Sequence, residues 1–380
     1  MVKVKSRACA HTRIQMHVTR QPGLGRRMEL LRKLTPAPDS ARTAVGALLR
    51  SIGRAGRHTY PFGNPVSIER THVPVVKQLP YWVAEKTDGM RMALICTRSP
   101  DTTQAVSYVM DRVGRLYGIP VLAPRQIFDG SLFDAELVFE PAVHGYKLYI
   151  FDVAMLRGSA DIAKRPTSDR LAAIHAIFSK ADVVPTLTAN DDDNRAAALL
   201  SGKMLCARPD VALVAKPMFR TSDAQALAAS VATLAHATDG YILTPEGEGA
   251  SDPGVAWTTF KIKTCHTIDL LWSAGMLWYG EGETLFPISD LRLDGLAATP
   301  SFHAVEYSGI EGCIVEASPI ASSSAAGTTL TLAFVKTRPD REAPNNAVCV
   351  SRTLKSALDA VVLEDVMMPP TTDGGARGVT

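Results

Sequence analysis

Glu85-Lys86-Thr87-Asp88-Gly89-Met90-Arg91 follows a short run of strand-forming residues (81–84) and precedes another (92–97). Asp-Gly is turn chemistry, so the stretch predicts a strand, a tight bend and a second strand. The bend carries a lysine on one side and an arginine on the other, which sets an amine beside an anion-binding corner. A KxDGxR pattern arises by chance in about one chain of this size in a few hundred. Alone it is equally a lysine on a polar turn, and the segments around it decide.

Outward from the bend come Asp134-Ala135-Glu136, Ile150-Phe151-Asp152, Asp239-Gly240-Tyr241-Ile242, Lys261-Ile262-Lys263 and Arg338-Pro339-Asp340-Arg341, the last running on to Pro344-Asn345. Strand-like runs rich in Val, Ile, Tyr and Phe are predicted at 107–111, 131–139, 147–153, 210–219, 240–243 and 258–262. Helices are predicted at 168–180, with a Ser168 cap and Leu171, Ile174, Ile177 and Phe178 at helical spacing, and at 224–237. Residues 191–194 read as a charged turn. From 267 a second strand-rich segment (268–272, 276–278, 302–307, 312–317, 329–335) suggests a small barrel with a hairpin tip at 322–327. A helix near 354–363 and a Pro/Gly-rich tail at 368–380 follow.

The chain has 380 residues, of which 46% are hydrophobic, the balance of a globular protein of about two domains. No run approaches the roughly 18–20 apolar residues of a membrane helix, and no secretory signal pattern opens the chain, so an intracellular protein is expected. Six scattered cysteines without a CxxC pair fit neither a zinc ribbon nor a disulfide framework. HExxH, GK[ST]-ending phosphate loops and GxSxG are missing, and no histidines cluster at ligand spacing. Residues 1–60 carry a net +11 against +3 for the whole chain. They read as a basic, flexible extension with a short helix at 26–34: a phosphate-binding arm, a nuclear address or a solvated tail. Trp82, Trp257, Trp272 and Trp278 read as core or interdomain packing.

The order of these segments resembles the covalent nucleotidyltransferase superfamily of mRNA capping guanylyltransferases, ATP-dependent DNA ligases and RNA ligases. That signature runs KxDGxR, DGEL, a strand ending in FD, then DG or EG before apolar residues, KxK and RxDK. The likeness covers residues 60–352 and is greatest to the capping guanylyltransferases. Phe62-Gly63-Asn64-Pro65-Val66-Ser67 resembles their segment before the nucleophile, and Met110-Asp111-Arg112 a DR after their second strand. Thr267-Ile268-Asp269-Leu270 resembles their TIDF, Ile314-Val315-Glu316 their IVE, and Asp340-Arg341-Glu342-Ala343-Pro344-Asn345 their DKxxPN. The resemblance implies an α+β fold: an ATP-grasp-like nucleotidyltransferase domain of antiparallel sheets plus helices (61–266), an OB-fold β-barrel lid (267–352), and a C-terminal helix and tail (353–380).

It also implies chemistry. Lys86 is the expected nucleophile, bound to GMP through a phosphoramidate formed from GTP. A free lysine amine, with a pKa of about 10.4, must lose a proton before it attacks, and nearby positive charge assists that loss. Lys261 and Lys263 stand at alternate strand positions and so face one way. They are expected to neutralise the α-phosphate. Glu136 and Asp239 match positions near the ribose and a divalent metal, Mg2+ or Mn2+. Arg91 and Arg112 match sugar and phosphate contacts, Phe151 the aromatic that stacks on the base, and Lys216 a contact to the guanine carbonyl. Arg338, Asp340 and Arg341, on the lid, match the motif that orients the leaving pyrophosphate. Phe151 as plain core and Asp239-Gly240 as a plain turn are the competing readings.

Two departures stand out: Ala135 where the family has Gly, and Arg341 where it has Lys, a planar fork in place of a point charge. The expected activity is GTP:RNA guanylyl transfer to 5′-diphosphate-ended RNA. An ATP-dependent polynucleotide ligase using the same lysine, and a silent scaffold that binds RNA or a polymerase, are the alternatives. A nuclear or virus-encoded enzyme follows, with separate RNA 5′-triphosphatase, cap methyltransferase and RNA polymerase partners and no membrane.

Overall fold

The computed structural model describes residues 29–55, 60–141, 144–180, 202–291, 301–304, 310–324, 327–339 and 341–367. Contacts divide the chain into two units. One holds Pro74–Lys261 with the described residues before Ser67; the other holds Ile262–Asp365 with Ser67–Val73.

In the first unit, helix α1 (Asp39–Ser51) precedes strands β1 (Gly63–Ser67), β2 (Tyr81–Thr87), β3 (Met90–Arg98), β4 (Ala105–Asp111), β5 (Ser131–Glu140) and β6 (Gly145–Met155). Then come α2 (Thr167–Ile177), β7 (Val211–Ala215), β8 (Phe219–Arg220), α3 (Ala224–Ala232), β9 (Thr238–Pro245) and β10 (Gly254–Ile262). Two sheets result. The larger, of eight strands, has β4-β3-β5-β6-β7 as its middle, and the smaller runs β8-β2-β9-β10-β1.

The unbroken apolar run on β3 follows from burial on both faces of the larger sheet. Met92, Leu94 and Cys96 face Phe133, Ile150 and the α2 residues Leu171, Ile174 and Ile177. Ala93 and Ile95 face Leu132, Met155 and the α1 residues Ala41, Val45 and Leu49. Phe133 and Phe178 meet edge to face, centroids 5.1 Å apart, a favoured aromatic geometry.

Part of the supposed flexible extension is therefore core. Leu30, Leu31 and Leu34 are buried, and residues 29–33 are helical. Arg54 is only 4% exposed and donates to the carbonyls of Pro61 (2.8 Å), Ser251 (2.6 Å) and Ala250 (2.8 Å). Its positive charge serves three buried carbonyls, so it offers nothing to an outside phosphate. Residues 1–28 and 56–59 lie outside the described residues, as do the 191–194 turn and the 368–380 tail.

Other boundaries moved for local reasons. The expected strand 210–219 splits into β7 and β8 around Lys216-Pro217, because proline cannot donate to a ladder. Ser168 does not cap α2; it lies inside the helix and gives its hydroxyl to Glu246 (2.6 Å).

The second unit has β11 (Ile268–Ser273), β12 (Met276–Glu281), β13 (Thr284–Pro287), β14 (Ser301–Ala304), β15 (Cys313–Ser324), β16 (Gly327–Thr337) and helix α4 (Ala347–Asp359). Its sheet runs β13-β12-β11-β15-β16-β14, and its core joins Leu270, Val315, Leu330 and Leu332 to Val350 and Leu354 of α4. Among the described residues, no pairing joins the edge strands β13 and β14, so the sheet is seen open rather than closed. No helix among the described residues is long and apolar enough to cross a membrane.

If α1 is core, Leu49→Ala lowers unfolding stability by about 2–5 kcal/mol, read by urea denaturation. A loose arm would leave the midpoint where it was.

Candidate active site

A cleft of about 440 Å³ lies between the two sheets of the first unit. It exists because the chain changes sheet at Asp88-Gly89: β2 belongs to the smaller sheet and β3 to the larger. The crossing leaves no room for a side chain. A Cβ on Gly89 would stand 2.4 Å from Cγ of Glu136, and the Gly89 N–H donates to Glu136 Oε1 (3.2 Å). Asp88 shapes the bend, its N–H reaching the Ala237 carbonyl (3.1 Å).

Lys86 points into the cleft, and its Nζ donates to Asp239 Oδ2 at 2.6 Å. The pairing of β9 with β2 shifts register between Thr238 and Tyr241, where Gly240 has φ 108°, a conformation that suits glycine. Asp239-Gly240 is thus more than a turn, since the bulge sets the carboxylate against the amine. Lys261 and Thr259, on one face of β10, line the cleft with Arg91, Arg112, Glu136 and Phe151. Lys263 follows the end of β10 and belongs to the second unit.

Arg91 is fixed from several sides. Asp134 takes its Nε (3.1 Å) and Nη2 (2.5 Å), and the Gly63 carbonyl takes Nη2 (2.8 Å). Its guanidinium lies 5.9 Å from the Phe151 ring centroid and 5.1 Å from that of Tyr60. Tyr60 donates its hydroxyl to Asp134 (2.8 Å). Burial pushes the Asp134 carboxyl up despite the opposing pull of Arg91. Burial likewise raises Glu136, against Lys216, Lys86 and Arg91. Arg112 donates to Asn64 Oδ1 (2.8 Å), and Asn64 in turn donates to the Gly254 carbonyl (3.1 Å).

Several working residues had no role in the sequence reading. Asp134 stood in a quoted motif without one. Arg170, 2% exposed, pairs with Asp152 (2.7 Å) and donates to the Arg165 and Glu248 carbonyls (2.7 Å each). Both Arg170 and Asp152 line the cleft. The FD strand ending was the available signal for Asp152; nothing in the helical pattern of α2 marked its arginine as buried.

Lys216 differs from expectation. It is not among the cleft-lining residues and is 4% exposed, paired to Glu85 Oε1 (3.0 Å) and hydrogen-bonded to the Thr87 hydroxyl. His236 bridges Glu85 (3.4 Å) and Glu140 (2.8 Å), and Tyr149 donates to Glu140 (2.9 Å). A buried charge network therefore backs the strand that carries Lys86. Burial alone would raise Glu85, but Lys216, His236 and Thr87 outweigh it and hold it at about 2. Burial lowers His236, but its two carboxylates raise it further than burial lowers it.

In the second unit, Asp269 takes Arg338 Nη1 (2.7 Å) and Arg341 Nε (3.3 Å). Glu316 also meets Arg338 (3.4 Å), and the Asn345 side chain accepts from the Asp269 N–H (2.8 Å). Segments 70 residues or so apart in sequence thus form one network. Asp340 lies outside the described residues.

No group of three or more His, Cys, Asp or Glu side chains forms a metal cage among the described residues. Magnesium commonly binds one or two carboxylates together with substrate phosphates and water. Asp239, paired to the Lys86 amine, and Glu136, which lines the cleft with Lys86, fit that smaller donor set.

The family described as mRNA capping enzyme, catalytic domain, matches residues 33–264. The mRNA-capping enzyme subunit alpha of Eremothecium gossypii is 30% identical over an alignment of 205 residues that covers 49% of this chain and 41% of the relative. The subunit alpha of Neurospora crassa is 30% identical over an alignment of 140 residues that covers 33% of this chain and 34% of the relative. The chain thus spans less than half the length of these curated relatives. A solved mycobacterial DNA ligase D, complexed with ATP and MES, is 14% identical, covers 74% of this chain and 96% of its own, and has a TM-score of 0.37. That last likeness is too low to carry an argument.

Because the folded-state value of Glu85 lies below its ordinary 4.5, its charge stabilises the fold at neutral pH, and that contribution fades as pH falls from 4.5 towards about 2. The stability advantage of the wild type over Glu85→Gln, measured by urea unfolding, narrows across that window. A constant advantage would contradict the pairing.

Proposed function

This chain belongs to the mRNA capping enzyme family, and we propose that it is a GTP:RNA guanylyltransferase acting through Lys86. The observation that carries this reading is a lysine at a sheet-to-sheet crossing. Its amine is fixed by Asp239 (2.6 Å) in a cleft that also holds Lys261, Glu136, Arg91 and Phe151.

In the first half-reaction the Lys86 amine, after losing a proton, attacks the α-phosphorus of GTP. A P–N bond forms, the P–O bond to the β-phosphate breaks, and pyrophosphate leaves. In the second, a β-phosphate oxygen of 5′-diphosphate RNA attacks the same phosphorus, the P–N bond breaks, and Lys86 is regenerated with a GpppN end on the RNA. Lys261 and Lys263 neutralise the charge that builds on the α-phosphate. Phe151 stacks on the base, and Arg112 reaches sugar or phosphate from the cleft rim. Arg91 acts through position: held by Asp134, it fixes the floor beneath Phe151. A divalent ion, held by Glu136 and Asp239, would offset the charge of the triphosphate.

Residues 61–266 make the catalytic domain and 267–352 the lid, from which Arg338, Asp340 and Arg341 orient the leaving pyrophosphate. Asp269 holds the two arginines ready, so Arg341 in place of the family's lysine gains a defined partner. The lid opens to admit RNA. An RNA 5′-triphosphatase acts before this enzyme and a cap methyltransferase after it, in a nucleus beside an RNA polymerase.

Incubation with α-labelled GTP or ATP and magnesium or manganese, followed by denaturing electrophoresis, tests the reading. A GTP-specific adduct, reversed by pyrophosphate and lost in Lys86→Ala, is expected. An ATP-specific adduct would move the protein to the ligases. Arg338→Ala slows adduct formation and its reversal by about tenfold or more, yet leaves transfer from a preformed adduct to RNA nearly unchanged.

A further inference from the structure

Strand β10 alternates cleanly. Ala256, Phe260 and Ile262 are buried, while the intervening Thr259 and Lys261 line the cleft. Trp257 and Val255 continue that same alternate set, yet they are 62% and 44% exposed. Trp257 is therefore not a core residue: its ring belongs to the cleft-side face of its strand, about 7 Å beyond Thr259, with well over half of its surface exposed.

Two further observations place it at the rim. Gly254, at the start of β10, accepts from Asn64, and Asn64 accepts from Arg112 (2.8 Å). A cleft-lining guanidinium is thus linked through one side chain to the strand end that carries Val255 and Trp257. The cleft itself, at about 440 Å³, is sized for one nucleotide. A polynucleotide whose 5′ end reached Lys86 would have to run out over its edge.

We propose that Trp257, flanked by Val255, is a stacking platform for the bases of the first few nucleotides of the acceptor RNA. The inference rests on the guanylyltransferase reading for the identity of the acceptor. An aromatic face accepts any base, whereas a cap-forming enzyme must act on many transcripts, so stacking without base-edge readout suits the task. Arg112 at the same rim supplies the positive charge that tracks a phosphate backbone.

The test uses the full chain, as wild type, Trp257→Ala and Trp257→Phe. Two acceptor oligonucleotides are needed: a 5′-diphosphate RNA, and the same RNA with abasic residues at its first positions. Adduct formation from GTP does not involve RNA and checks the fold of each variant. For the normal RNA, Trp257→Ala raises KM in the transfer step by about tenfold with kcat little changed, and Trp257→Phe restores most of the affinity. Abasic RNA, having no base to stack, binds wild type and Trp257→Ala alike. Fluorescence anisotropy of labelled RNA gives the same comparison without any catalysis, so failure of the adduct assay and failure of the platform are distinguishable. Equal affinity of wild type and Trp257→Ala for normal RNA would overturn the proposal and leave the rim to a protein partner. An equal loss on normal and abasic RNA would overturn stacking as its basis.

Discussion

The cleft depends on a two-residue crossing at which the chain leaves one sheet for another. Thr87, next to Lys86, ends the run in the smaller sheet, and Met90 begins the next in the larger, so Asp88-Gly89 must bridge them with almost no volume. Glycine is required there by contact rather than by unusual φ, since a methyl would meet Glu136 at 2.4 Å. The same closeness lets the Gly89 N–H hold Glu136 (3.2 Å). One bend therefore fixes the amine, a carboxylate and the gap between them.

Around that bend, charges are paired before any substrate arrives. Lys86 meets Asp239, Arg91 meets Asp134, and Arg170 meets Asp152. The last two pairs are buried and hydrogen-bonded on several sides, which suits positioning; removing one partner of such a pair is costly. The Lys86–Asp239 pair is more open, with side chains 23% and 29% exposed, and an incoming nucleotide can reach it. The division is physical: deep pairs hold the walls, and the shallow pair sits where chemistry is expected. Asp269 repeats the pattern in the second unit, keeping Arg338 and Arg341 ordered without substrate.

Much of this was legible in the sequence because it is local. Asp-Gly flanked by strand formers marks a bend, and alternation on β10 puts Lys261 on a chosen face. What could not be read depends on distant partners. Arg54 looked like part of a basic tail, although its guanidinium closes over carbonyls nearly 200 residues away. The helical spacing of Ala41, Val45 and Leu49 was present but masked by the surrounding charge. Lys216 followed a family position, yet its neighbours Glu85 and Thr87 claim it in this chain. Trp257 ran the other way: aromatic size suggested packing, but its strand extends to an exposed rim. The edges of the second sheet, unpaired with each other among the described residues, depend on contacts that no local pattern encodes.

In the proposed reaction one amine, that of Lys86, carries the nucleotide. Its most direct test is peptide mapping by mass spectrometry after incubation with GTP and a divalent metal, under alkaline conditions that preserve a phosphoramidate. A single GMP-modified peptide is expected, with the modification on Lys86. A modification on Lys261 or Lys263, or AMP in place of GMP when both triphosphates are offered, would contradict it.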